Sequence, residues 1–333
     1  MFLHELVIFI FFFLKAIILV AAILVLVGGL LALIAKNKLR ETEKIKIKPL
    51  NKHYEALEET IQAEVLSKEE KKQLNKEIKA KNKQKNHSLP ENSKRLFILN
   101  FNGDMKASQV QSLREEITAI LTVARPGDTV LLKLESMGGM VHGYGLAASE
   151  LLRIKDRAIP LVISVDKVAA SGGYMMACVA NQIIAAPFAI LGSIGVVAQL
   201  PNVNQLLKKH HIDYEMITAG EYKRTLTVFG QNTEEGRRKV QDEVNDTHEL
   251  FKEFIRQHRP QIDIATVATG EHWFATRALK LNLVDQLITS DDYLTRARKD
   301  MKLFEVTYKK PKKILEKLSE KIRVFFRETL STL

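Results

Sequence analysis

The pattern of apolar and polar positions divides the chain into four stretches. The first, residues 6–35, reads "LVIFIFFFLKAIILVAAILVLVGGLLALIA", with 20 uninterrupted apolar or glycine residues after Lys15. About 20 such residues carry a helix across the hydrocarbon core of a bilayer. A cleaved signal peptide would have an apolar core of roughly 7–15 residues ending in a small-x-small site. This run is longer and is followed by "AKNKLR". It predicts a retained transmembrane anchor over 1–35, with Lys15 reaching toward the nearer interface.

The second stretch, 36–93, is charged. Between 54 and 86 strong helix formers dominate, without Pro or Gly, and apolar residues are sparse. That pattern predicts a solvated helical stalk. The loop "NHSLPENS" at 86–93 marks the domain boundary.

The third stretch, 94–300, changes texture. The runs "RLFILNFNG", "DTVLLKLES", "PLVISV" and "QIIAA" are short, apolar and rich in strand formers. Helical stretches at 107–124, 142–154 and 171–180 separate or follow them. The alternation predicts βαβ units and a mostly parallel sheet in an α/β domain. Near-continuous apolar strands fit a sheet covered on both faces. A long polar helix is expected over 233–258, capped by Asn232 or Thr233 with Glu235 in its first turn. The hydrophobic stretch 183–203 is broken by Pro187, Gly192, Gly195 and Pro201, so it reads as core rather than a second span. The fourth stretch, 301–333, ends in "KKILEKLSEKIRVFFRETLSTL", an amphipathic pattern with a basic face. It suits either a membrane surface or a neighbouring subunit.

Charge sharpens this division. The chain carries 50 Lys and Arg against 39 Asp and Glu, a formal net charge of +11. Residues 36–95 hold 17 basic and 10 acidic residues, and 301–333 hold 9 and 4, so the middle is close to neutral. Basic flanks around a neutral body suit an anionic membrane surface. The basic segments interleave few aromatics, which argues against nucleic acid as a partner. The single cysteine, Cys178, excludes an intramolecular disulfide.

Three places could carry chemistry. In "VAASGGYMM", Ser171 stands between a predicted strand and a predicted helix. Such a serine can be a nucleophile beside free backbone amides, or an ordinary helix cap. In "LESMGGM", Gly138 and Gly139 make another strand-to-helix junction, suited to presenting amides to an anion or carbonyl oxygen. In "TAGEYKRTLTVFG", Lys223 lies among Tyr222, Thr225 and Thr227. A lysine acts as a general base only when its amine is neutral, and burial favours that form. Of the nine histidines, His142 is the best alternative base.

"ASGGYMMACVANQIIAAPFAILGSIGVV" followed by "GEYKR" resembles the S49 family of membrane peptidases. The likeness covers roughly 95–295, with anchor and stalk matching more loosely. It implies a peptidase domain with the Clp protease/crotonase fold and a Ser/Lys dyad. Ser171 matches the nucleophile, Lys223 the general base, and Ser193 in "GSIG" a serine that helps hold the lysine amine. The amides of Gly138, Gly139 and Gly172 match the oxyanion hole. The family's turn motif is Ser-Pro-Gly-Gly; here Met137 stands in place of the proline. The resemblance further implies hydrophobic peptide substrates such as released signal peptides, and no metal or cofactor. It also implies a homo-oligomer whose dyad is shared between protomers. The inner membrane is the expected location. The positive-inside rule puts the body in the cytoplasm, whereas family members act on the periplasmic side, and the sequence leaves the face open. A Ser171/His142 peptidase and a non-catalytic membrane-anchored scaffold are the competing readings.

Overall fold

The computed structural model describes residues 2–38, 44–67, 69–71, 73, 76 and 93–309. The expected boundary loop at 86–93 lies almost wholly outside them, and the amphipathic tail 312–333 lies wholly outside. Helix α1, Phe2–Lys38, belongs to one compact unit, and Ile45–Tyr308 forms the other. Within α1, Phe11–Gly29 is long and apolar enough to cross a membrane, and none of it is buried in protein.

The second unit is built on a ten-stranded sheet. Its strands are β1 (Lys44–Pro49), β2 (Arg95–Gly103), β3 (Thr129–Ser136), β4 (Leu161–Val165), β5 (Val168–Ala170), β6 (Gln182–Ala185), β7 (Ile190–Gly192), β8 (His272–Phe274), β9 (Gln286–Leu287) and β10 (Lys302–Lys309). The main path runs β1-β10-β2-β3-β4-β6-β9, and from β10 to β9 every pairing is parallel. The sheet forks at the end of β3: β4 pairs with Val130–Lys133, while Ser136 pairs with Ala169 of β5. From β5 a branch continues through β7 to β8.

Side-chain alternation divides each strand between two cores. Phe97, Leu99, Phe101, Leu132, Leu134 and Ile163 enter the larger one. Leu96, Ile98, Leu131 and Val162 enter the smaller one on the other face. The larger face is covered by α3 (Val110–Val123), α4 (Val141–Lys155), α5 (Gly172–Ala177) and part of α7 (Glu234–His258). Burial on both faces is why these strands read as continuous apolar runs, at about 1.5–3 kcal/mol for each large aliphatic side chain buried. The stretch 183–203 divides as its breakers suggested: Ile183, Ile184, Leu191 and Ile194 are core.

The long helix α7 begins at the expected place. Thr233 Oγ1 caps it by accepting from Gly236 N–H at 3.1 Å, and Asn232 instead accepts from Thr227 N–H. The stalk is helical over Asn51–Val65 with no buried residue, as expected, and most of 68–92 lies outside the described residues; its start is docked. Strand β1 and helix α2 (Asn51–Val65) lie in the same compact unit as the sheet. Leu50 is buried in the smaller core. Asn51 accepts from Leu303 N–H at 2.7 Å and donates to Met301 O at 3.2 Å. The sparse apolar pattern concealed this because the anchoring uses few residues: strand pairing with β10, the Asn51 clip, Leu50, Ile45 and Tyr54 on the cores, and Arg298 over the Tyr54 ring.

Candidate active site

Ser171 stands at the fork, immediately after β5 and before α5. Its backbone has φ 52° and ψ −119°. A non-glycine residue there costs about 1–3 kcal/mol and persists only where its surroundings over-determine it. Those surroundings are dense. Ser171 N–H donates to Gly192 O at 2.8 Å, and Ser171 O accepts from Met175 N–H at 3.0 Å. The sequence offered two readings of this serine, nucleophile or helix cap; its side chain is half-buried and makes no capping bond.

Ser193 is its neighbour. The β5–β7 register pairs Ala170 with Gly192, so Ser171 and Ser193 follow the ends of adjacent parallel strands, roughly 5 Å apart in backbone. Ser193 too has a positive φ, 51°. Its N–H donates to Glu271 O at 2.6 Å, and Gly192 packs against the Trp273 ring so closely that a Cβ would lie 2.8 Å from it.

The glycine turn presses on Ser171 from the other side. At Gly138 φ is +91°, and a Cβ there would lie 2.8 Å from Ala170 O, Gly172 N and Ser171 Cβ. A Cβ on Gly139 would run into the backbone of Met105, whose carbonyl accepts from Met140 N–H at 2.8 Å. Both glycines are needed for close approach of backbone to backbone. The amides are not equivalent. Gly138 N–H donates to Ser136 Oγ at 3.0 Å and is therefore not free to meet a substrate, contrary to the sequence expectation. The N–H groups of Gly139 and Gly172 have no partner among the described residues.

Lys223 is elsewhere. It lies on an irregular, exposed segment between α6 (Asn204–Lys209) and α7. Its amine makes no hydrogen bond or ion pair among the described residues. Ser171, Ser193 and the glycine amides come together in one chain, and no lysine amine is hydrogen-bonded to either serine among the described residues. The base of this segment is pinned by Asn202, which donates to Thr227 O at 2.8 Å and Gly230 O at 3.0 Å. His142, the alternative base, is exposed at the start of α4. Cys178 is no rival nucleophile: burial pushes its thiol up to about 12, far from the thiolate that reacts.

Sequence reasoning missed Ser136 and Tyr144. Tyr144, on α4, is fully buried, and its hydroxyl lies 2.5 Å from Ser136 Oγ and donates to Asp104 O at 2.8 Å. The available signal was Ser136 itself, two residues before Gly138 in a quoted motif.

The profile of the peptidase family S49 N-terminal region matches residues 4–151, and that of peptidase family S49 matches residues 153–304. A strained serine at a sheet fork, beside a glycine turn, thus occurs in a chain that belongs to the S49 peptidases. Among its relatives is the probable protease SohB of Buchnera aphidicola subsp. Acyrthosiphon pisum, 57% identical over 242 residues, 73% of this chain and 72% of that one. The probable protease SohB of Haemophilus influenzae is 46% identical over 317 residues, 92% and 90% of the two chains. A solved structure, the membrane-bound stomatin-specific protease 1510-N with a substrate peptide, aligns with TM-score 0.43 at 12% identity, covering 69% of this chain and 98% of that one.

Proposed function

We propose that this S49 protease is a membrane-anchored serine endopeptidase working through a Ser171/Lys223 dyad, with Lys223 delivered by a neighbouring copy of the chain. The observation that carries the nucleophile is the enforced positive φ of Ser171, with its hydroxyl beside unpartnered amides. A neutral Lys223 amine removes the Ser171 Oγ proton, and the oxygen adds to the scissile carbonyl carbon. The Gly139 and Gly172 amides stabilise the resulting oxyanion. Collapse expels the leaving amine, which takes the proton from Lys223, and water then hydrolyses the acyl-enzyme with the lysine again as base. Ser193 accepts or donates to the lysine amine and holds it in line. The chemistry requires no metal or cofactor. Because the lysine must be neutral, activity rises with pH and is lost in acid.

Two features support sharing between protomers. The Lys223 amine has no partner in its own chain among the described residues. Its segment also exposes apolar side chains, Ile217 at 97% and Tyr222 at 50%, which suit a contact with a second copy. Hydrophobic peptides, signal peptides among them, fit the rim of the site, where Met105, Met137 and Met140 are exposed. Methionines adapt to apolar side chains of varied shape. The apolar helix Phe11–Gly29 supports a location at a bacterial inner membrane.

The test mixes two inactive chains. Ser171→Ala and Lys223→Ala are each expected to be silent. Co-assembled, they should recover up to about a quarter of wild-type activity, the share of head-to-tail interfaces pairing an intact serine with an intact lysine. Recovery absent in verified mixed oligomers would overturn the shared dyad. Activity retained in Lys223→Ala but lost in His142→Ala would overturn the lysine.

A further inference from the structure

A chain of hydrogen bonds beneath the glycine turn has one consistent direction. Tyr144 has a single hydroxyl proton, which it donates to Asp104 O at 2.8 Å. Ser136 must then donate across the 2.5 Å contact to Tyr144 Oη. That leaves Ser136 Oγ free to accept from Gly138 N–H at 3.0 Å. Every donor is used and each link constrains the next. Ser136 is 2% exposed and Tyr144 0%, so no water substitutes for a missing link.

The same side chains are the surface against which the site is built. The Tyr144 ring occupies the space a Gly172 side chain would fill, with Cδ2 2.7 Å from the position of a Cβ. The space at Gly103 is taken by Ser136 Oγ and the Tyr144 hydroxyl, and that at Gly173 by Ser136 O. The end of β2, the glycine turn and the nucleophile turn therefore converge on one Tyr–Ser pair. Met137, 79% exposed, leaves the turn without a ring to fix its φ. The Ser136 side chain closing onto Gly138 N–H, two residues on, supplies that constraint instead.

We infer that Tyr144 and Ser136 are positioning residues: they lock the Gly138 amide so that the next peptide presents Gly139 N–H to the oxyanion beside Gly172 N–H. This rests on the serine-peptidase reading above and assigns Gly138 to holding the turn rather than to binding substrate.

The test uses the full-length chain in detergent with a fluorogenic apolar peptide. Tyr144→Phe keeps the ring packing and deletes the relay's hydroxyl; Ser136→Ala deletes the link to Gly138. Each should lower kcat by ~10-fold to ~100-fold, less than outright loss of an oxyanion donor costs, with KM within about twofold. The double variant should be no slower than the slower single one, because both break one relay. Unchanged kcat in both single variants, with Ser171→Ala silent, overturns this inference and leaves the peptidase reading standing. Effects that multiply, or that appear in KM and melting temperature alone, also overturn it, since a purely structural role would produce them. Should Tyr144→Phe fail to fold, Ser136→Ala decides by the same criteria. Activity retained in Ser171→Ala would instead overturn the peptidase reading itself.

Discussion

The surroundings of Ser171 and those of Lys223, the two halves of the proposed dyad, are built in opposite ways. Ser171 sits half-buried where two parallel strands, a short helix and a glycine turn meet, against a dense cluster of buried side chains. Lys223 sits on a segment that is mostly irregular between 195 and 233, pinned at its base by Asn202 and Asn204 but exposed at its tip. The first half can bear strain because a packed interior does not relax. The second has no such frame in one chain, so its geometry must come from something that covers it. On the proposed shared dyad, the nucleophile and amides are preorganised and activity waits on assembly.

Mutations separate these halves. The largest effect is expected from either dyad residue: Ser171→Ala or Lys223→Ala should cut peptide cleavage by about ten-thousand-fold or more. Only Ser171→Ala should abolish labelling by a serine-reactive probe outright, and Lys223→Ala should leave melting temperature unchanged because its amine is exposed. Next, Ile217→Asp should abolish activity through dissociation, read as a smaller species by analytical ultracentrifugation, while circular dichroism stays as in wild type. An active, fully assembled Ile217→Asp variant would mean this segment is not the shared contact. Gly138→Ala attacks the packed half. The added methyl meets backbone at Ala170 and Gly172 at a strained φ, so stability should fall by about 2–4 kcal/mol in urea unfolding and activity with it.

The smallest effect lies far from both halves. Glu116 on α3 is buried, and desolvation pushes its carboxyl from its ordinary 4.5 up to about 7, against the Tyr308 N–H bond that pulls it down. The fold prefers the protonated form. That contribution is full below pH about 4.5 and is lost as pH rises through about 7. Glu116→Gln should therefore raise the melting temperature by a few degrees at pH 8 and hardly at pH 5. A gain at both pH values would assign the effect to packing rather than charge.

Much of the frame is legible in the chain because it is local. Apolar runs of strand length, helix formers between them, and Thr233 before two glutamates are read within a window of ten residues. The anchor follows from length and hydropathy alone. The docking of 45–65 was not legible, since it depends on β10, some 250 residues away, and on the few side chains Ile45, Leu50, Asn51 and Tyr54. Nor was the relay from Gly138 to Asp104, because Tyr144 is an ordinary apolar-face residue until folding brings β2, β3 and α4 together.

By itself the sequence determined the long apolar helix near the N-terminus, the alternation of strands and helices, and which residue types stood at the strand-to-helix junctions. These rest on local propensity and on the period of burial. The tertiary structure alone decided that Ser171 carries strain, that Ser193 lies beside it, that the Gly138 amide is already taken, and that Lys223 is exposed. Those outcomes depend on register and close packing between segments distant in the chain, and no local pattern encodes which donor finds which acceptor.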